Sequence, residues 1–229
     1  MSPLDALEAS LRRRFRVVET EIDLGARWLP LLHPASAEEL ISEEEFARDE
    51  RLPYWAEPWP SARVLAARVL GDDGAGRSLL ELGSGAGLVA TAAALAGYAV
   101  TASDYYEDAV AFARVNAWRV AGREIAGLHL DWRALPPALP RWEVVVASDV
   151  LYERPYAPLV AAAVARVLAP GGRAIVADPG RAAAGAFVEA LPASGLTVER
   201  AARVPFVEGR IRQTIDLWSI QWAATAAPP

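Results

Sequence analysis

Three glycines at alternating positions follow an acid in the run Glu81-Leu82-Gly83-Ser84-Gly85-Ala86-Gly87. Residues without a Cβ let a chain pass at once from strand to helix and let its backbone approach a ligand. The unpaired N–H groups of the helix start then point at that ligand. Seventeen residues beyond Gly87, the run Tyr98-Ala99-Val100-Thr101-Ala102-Ser103 ends in Asp104, where a second parallel strand would set a carboxylate beside a ribose. Glycines also serve close helix–strand packing; the paired acid is what argues for a nucleoside.

The spacing separates two kinds of nucleoside. A dinucleotide loop has the form Gly-x-Gly-x-x-Gly, whereas this one is Gly-x-Gly-x-Gly with Glu81 two residues before the first glycine. A carboxylate there would repel a pyrophosphate and would suit the ammonium of an amino-acid-bearing nucleoside, so the charge pattern points to S-adenosylmethionine as cofactor. Two further clusters sit at predicted strand ends. Asp131-Trp132 offers a carboxylate for an exocyclic amine and a flat surface for a base, which adenine would fit, although an isolated Asp-Trp is also common in loops beside a core aromatic. Ser148-Asp149-Val150-Leu151-Tyr152 places a carboxylate and a phenol three residues apart on a strand-to-helix turn. There Asp149 would orient an acceptor amine and Tyr152 would bound it; the competing reading is a helix cap and a packing ring. Upstream, Leu52-Pro53-Tyr54-Trp55-Ala56-Glu57-Pro58-Trp59-Pro60-Ser61 resembles a lid. Trp faces stabilise cations by roughly 0.5–2 kcal/mol, so Trp59 would border the cofactor's amino-acid and sulfonium portion; the competing reading is that Trp55 and Trp59 staple the N-terminal hairpin to the sheet.

These groups require an alternating scaffold. Strands are predicted near 78–82, 98–103, 127–130, 143–148 and 173–178, with helices near 86–96, 107–121, 156–168 and 182–193, and Pro170-Gly171-Gly172 as a turn into the fifth strand. That order implies a mostly parallel sheet with helices on both faces and ligands outside the strands' carboxyl ends. After Gly195, the runs 197–204 and 211–220 have no helix between them and predict an antiparallel hairpin. Before residue 53, an Arg-rich helical start precedes the alternating run 15–22, a turn at Leu24-Gly25-Ala26-Arg27 and a returning strand from Trp28 to Leu32, with His33 at its end. Ser42-Glu43-Glu44-Glu45 predicts a capped surface helix, and the final Ala-Ala-Pro-Pro a frayed tail.

The 229 residues fit one α/β domain, with 1–53 an extension, 54–222 the catalytic core and 223–229 a tail; 53% hydrophobic residues suffice to bury its core. No run reaches membrane-spanning length and the N-terminus lacks a signal peptide's apolar centre, so a cytoplasmic protein is expected. Without Cys and with two His, no metal site is expected. The net charge of −6 argues against broad nucleic-acid binding and favours a cationic or neutral acceptor. All 23 basic residues are Arg, so the chain cannot methylate a lysine of its own.

Leu80-Glu81-Leu82-Gly83-Ser84-Gly85-Ala86-Gly87, Asp104, Asp131-Trp132 and Ser148-Asp149-Val150-Leu151-Tyr152 together resemble the seven-stranded class I methyltransferases, and specifically the family 16 protein lysine methyltransferases, whose signature after the fourth strand is Asp-x-x-Tyr. Residues 53–60 are similar to the branch that contains the electron-transfer-flavoprotein β-subunit lysine methyltransferase and its bacterial relatives. Pro60-Ser61-Ala62 departs from that branch, where small glycines follow the Trp. The resemblance covers about residues 52–220. It implies a Rossmann-like doubly wound sheet of seven strands with the two hairpins as additions. It also implies S-adenosylmethionine contacts from Trp59, Gly83, Ser84, Gly85, Asp104, Trp132 and Ser148, with Asp149 and Tyr152 at a protein lysine. Two other outcomes stay open on the residues alone: transfer to a small amine or nicotinamide-like heterocycle, and a non-catalytic cofactor- or partner-binding module. Oligomeric state is not specified by any of these features.

Overall fold

The computed structural model describes residues 2–41 and 52–224. The predicted acidic helix start at 42–45 and the Ala-Ala-Pro-Pro tail lie outside the described residues. Seven strands, β3 (Ser78–Leu82), β4 (Ala99–Asp104), β5 (Ala126–His129), β6 (Trp142–Ser148), β7 (Leu168–Asp178), β8 (Leu196–Glu208) and β9 (Ile211–Trp222), form one sheet in the order β5-β4-β3-β6-β7-β9-β8. The first five are mutually parallel; β9 runs antiparallel to both β7 and β8. The chain moves outward from β3 to β5 and then returns to the other side of β3, so the switch of direction lies between β3 and β6. That reversal opens a crevice at the carboxyl ends of the strands.

Side chains on a strand alternate between faces, and here each face has its own core. Leu79, Val144, Val146 and Ile175 join α2 (Pro60–Leu70), α3 (Leu88–Leu95) and α4 (Glu107–Ala121) on one side. Leu80, Val145, Ala174 and Val176 join α5 (Tyr156–Val167) and α6 (Ala184–Ala190) on the other. Leu79-Leu80 on β3, Val144-Val145-Val146 on β6 and Ala174-Ile175-Val176 on β7 are apolar at consecutive positions because both faces are covered. Every residue of α3 from Leu88 to Ala94 is buried, and its small Ala side chains let it touch both α2 and α4.

The predicted N-terminal elements are present as α1 (Pro3–Arg14), capped by Ser2 and Asp5, and a hairpin of β1 (Val17–Asp23) with β2 (Trp28–Pro34). Ile22, Leu29, Leu31 and Leu32 extend the first core. The buried amide of Asn116 on α4 accepts from Leu32 N (2.8 Å) and donates to Leu32 O (2.8 Å) and Ala86 O (2.9 Å). One side chain thus ties the hairpin to the glycine-rich loop. His33 ends β2 as expected, its ring bonded to Thr20 Oγ1 and Pro34 O, and burial lowers its pKa.

Two boundaries differ from expectation. Pro170-Gly171-Gly172 is not a separate turn but lies inside β7, where the register with β6 jumps from Trp142 opposite Leu168 to Val144 opposite Arg173. A Cβ at Gly172 would stand 2.8 Å from Glu143 O, so the glycine permits that close approach. The helix predicted over 182–193 is shorter: Pro192 has no N–H to continue it, and a 3-10 turn follows at Pro192–Ser194. Among the described residues no helix is long and apolar enough to cross a membrane.

Candidate functional site

The crevice is an open cleft walled by the loop after β3, the ends of β4, β5 and β6, and the aromatic segment before α2. The loop positions itself largely through its own backbone. Gly83, Gly85 and Gly87 all have positive φ (69°, 50° and 86°). Ser84 N donates to Ser103 O (2.9 Å), Gly87 N to Ser84 O (2.8 Å) and Gly85 N to Asp104 Oδ2 (2.9 Å). The three glycines are needed for different reasons. A Cβ on Gly83 would meet Val150 Cγ1 at 2.9 Å and the Trp132 ring at 3.5 Å, across the cleft. On Gly85 it would meet Trp55 O at 3.0 Å. On Gly87, which caps α3, it would lie 2.3 Å from Ala113 Cα, so that glycine is required by helix packing even though the residue lines the cleft.

Asp104 lies at the end of β4 and lines the cleft. Its second oxygen accepts from Tyr106 N (3.0 Å), and burial raises its pKa, with the backbone donors opposing that rise. Each oxygen retains lone-pair capacity for a ligand hydroxyl. Asp131 and Trp132 follow β5 and also line the cleft. The Asp131 carboxylate is held in the guanidinium fork of Arg133, with contacts of 3.0, 3.0 and 2.7 Å, and that guanidinium lies over the Tyr105 ring. Ser148 closes this side.

Glu81 stands apart from the other predicted site residues. It is 1% exposed and packs against α3, behind the residues that line the cleft. Burial pushes its pKa well above the usual glutamate value, the Ala90 backbone on α3 opposes that shift, and Oε2 has no protein partner. Strand alternation puts Glu81 on the same face of β3 as Leu79, beneath α3, and the cleft-lining Asp104 carboxylate adds to the rise in its pKa.

The other end of the cleft is assembled from distant segments. Asp149 has φ of 57°, an uncommon conformation for a residue with a side chain. Its Oδ2 accepts from Ser61 N (3.0 Å) in the first turn of α2, and Oδ1 lies 2.9 Å from Arg181 Nη2 in an ion pair without hydrogen-bond alignment. The carboxylate does cap a helix, but α2 rather than the helix that follows it in sequence. Burial raises the Asp149 pKa, and Arg181 and the Ser61 contact pull it back. Tyr152 is 37% exposed at the cleft mouth, in ring contact with Tyr54 (5.4 Å) and Tyr156 (5.0 Å). Trp59 donates its indole N–H to Tyr54 O (2.8 Å) and faces the cleft. Trp55 packs against Phe15, Tyr106 and Phe112, so it staples the N-terminal segment while its edge reaches the cleft.

Of the residues singled out in the sequence, Trp59, Gly83, Ser84, Gly85, Gly87, Asp104, Asp131, Trp132, Ser148, Asp149 and Tyr152 share this cleft. Sequence reasoning missed Tyr54, Ser61, Tyr156 and, at the end of β7, Asp178 and Arg181. Asp178-Pro179-Gly180-Arg181 carried a usable signal, since it is a charged turn at the end of a predicted strand, as the other clusters are. The cleft fits an amino-acid-bearing nucleoside. Ser84 Oγ and Trp132 Nε1 are buried hydrogen-bonding atoms without a protein partner, and the Gly83 approach leaves room that a side chain would fill. Among the described residues no cluster could hold a metal ion.

A family model described as a methyltransferase domain matches residues 54–227. Over 111 residues, 44% of this chain, the sequence is 28% identical to the electron transfer flavoprotein beta subunit lysine methyltransferase of Homo sapiens; the match spans 39% of that protein. The magnesium protoporphyrin IX methyltransferase of Synechocystis PCC 6803, solved with bound SAM, superposes with a TM-score of 0.57 at 18% identity, over 79% of this chain and 86% of that one. The CcbJ methyltransferase of Streptomyces caelestis gives 0.55 at 18% identity, over 76% and 94%. Likeness at these identities is a likeness of fold, which carries many acceptors.

Proposed function

The chain belongs to the methyltransferase-domain family and uses S-adenosylmethionine, and from that premise we propose that it methylates the side-chain amine of a lysine in a protein, as a member of the family 16 group. The observation that carries this reading is that Asp149 and Tyr152, the acid and phenol of Asp-x-x-Tyr, border the same cleft as the glycine loop and Asp104. The partial likeness to a lysine methyltransferase supports the same acceptor. In this reading residues 54–222 are the catalytic part of a single domain, and 1–53 pack on it as an extension.

Gly83, Ser84, Gly85, Asp104, Asp131, Trp132 and Ser148 would hold the cofactor, with Trp59 toward its sulfonium end. S-adenosylmethionine supplies a methyl carbon made electrophilic by the attached sulfonium. The protein's part is to hold the acceptor in line, which can provide most of the acceleration. A lysine amine has an ordinary pKa of about 10.4, so under about 0.1% is neutral at pH 7. The buried, aromatic setting of Asp149 disfavours the ammonium, while the carboxylate attracts it. Asp149 therefore captures and aligns the amine, and Tyr152 with Tyr54 bounds its approach. Gly87 and Glu81 belong to the same cofactor side in this reading, Gly87 by letting the loop pack against α4 while lining the cleft.

Labelled methyl transfer into an extract of cells lacking the gene tests the acceptor. Label in protein bands, placed on lysine by mass spectrometry and reduced about 100-fold in Asp149→Asn, is expected. Label confined to the small-molecule fraction would replace the lysine reading with a small-amine one.

A further inference from the structure

Asp178, at the end of β7, is fully buried and accepts two backbone N–H groups through Oδ1, from Gly180 (2.7 Å) and Arg181 (2.7 Å). This closes a tight turn in which Gly180 has φ of 82°. The turn sends the Arg181 side chain back across the end of the sheet. There Nη1 donates to Asp149 O (2.9 Å), Nη2 lies 2.9 Å from Asp149 Oδ1, and the guanidinium carbon sits 5.5 Å from the centre of the Trp59 ring. One planar cation therefore touches the main chain and carboxylate of Asp149 and also the ring beside the cleft. A guanidinium can engage an oxygen pair and an aromatic face at once, which an ammonium cannot match. Arg181 is itself outside the cleft lining, so it reaches the acceptor site only through Asp149 and Trp59.

We propose that Arg181 is a positioning residue for methyl transfer, clamping the Asp149 turn and the Trp59 ring in the arrangement that receives the acceptor amine. Asp149 holds an uncommon left-handed conformation, and a side chain that binds both its carbonyl and its carboxylate fixes that conformation from outside. The inference rests on the acceptor-side role given to Asp149 above. The groups around Asp149 are Asp178 at the end of β7, Arg181 from the turn after it, and the Ser61 N–H from α2. Tyr152 stands on its own turn, and Tyr54 and Glu57 share the cleft. Behind Asp178, Asp216 on β9 is paired with Arg200 and Arg203 of β8. Arg181 is the cation in direct contact with Asp149, and it opposes the effect of burial on that carboxyl.

Carbon-13 titration of the Asp149 carboxyl, identified by its loss in Asp149→Asn, reads the contact without any acceptor. In Arg181→Met the midpoint should rise by about one pH unit. Methyl transfer into the extract proteins should fall about tenfold, with its acid limb moving up with the carboxyl. Arg181→Lys should restore part of both, while S-adenosylhomocysteine affinity and melting temperature stay near wild type. An unmoved midpoint overturns the proposal, and so does a loss of transfer that only parallels lost stability. Full transfer by Asp149→Asn alongside a shifted midpoint would instead defeat the acceptor reading, leaving the Arg181 contact intact but without a role in transfer.

Discussion

The two ends of the cleft are built in opposite ways. The end formed by β3, β4 and their loop comes mainly from a short stretch, in which glycines with positive φ, Asp104 and neighbouring backbone groups satisfy one another. The end around Asp149 draws on Tyr54, Trp59, Ser61 and Arg181, brought together only by the completed sheet. A site made of local backbone is tied to the stability of the fold, and one made of distant side chains can change while the fold persists. That division agrees with a shared cofactor and a variable acceptor.

Substitutions at the two ends should therefore differ in kind. Gly87→Ala should cost the most, about 3 kcal/mol or more, because the new Cβ both strains a positive φ and strikes α4. Urea unfolding measures it, and a cost under about 1 kcal/mol would mean the loop is not locked to the helix. Asn116→Ala should cost about 2 kcal/mol by leaving Leu32 and Ala86 groups unpaired, without touching the Asp149 end. The smallest effect is pH-dependent. The pKa of Glu81 is raised in the fold, so its contribution to stability is fully present below the unfolded value near 4.5 and is lost as pH rises through the native midpoint. Glu81→Gln should accordingly stabilise the ligand-free protein, by on the order of 1 kcal/mol near pH 8 and not at all at low pH. Thermal melts across that range that stay parallel would show Glu81 to be ionised in the fold.

The end formed by β3, β4 and their loop was legible because its determinants are contiguous. Gly83, Gly85 and Gly87 declare their backbone angles in the sequence, and apolar runs such as Val144-Val145-Val146 announce a strand covered on both faces. For Glu81 the charge suggests a ligand, whereas its burial beneath α3 and its nearness to Asp104 depend on the completed fold. Pro170-Gly171-Gly172 was read as punctuation, yet a parallel neighbour absorbed it as a register break. The contact of Arg181 with Asp149, across 32 residues, and that of Ser61, across 88, depend on strand order, which no local pattern encodes.

Calorimetric titration of S-adenosylhomocysteine into wild type, Asp104→Ala and Asp149→Asn tests the division of the cleft most directly. Binding by wild type, weakened about tenfold by loss of the Asp104 carboxylate and changed less than about twofold in Asp149→Asn, is the expected result. Equal losses at both positions, or no binding by wild type at millimolar concentration, would contradict it.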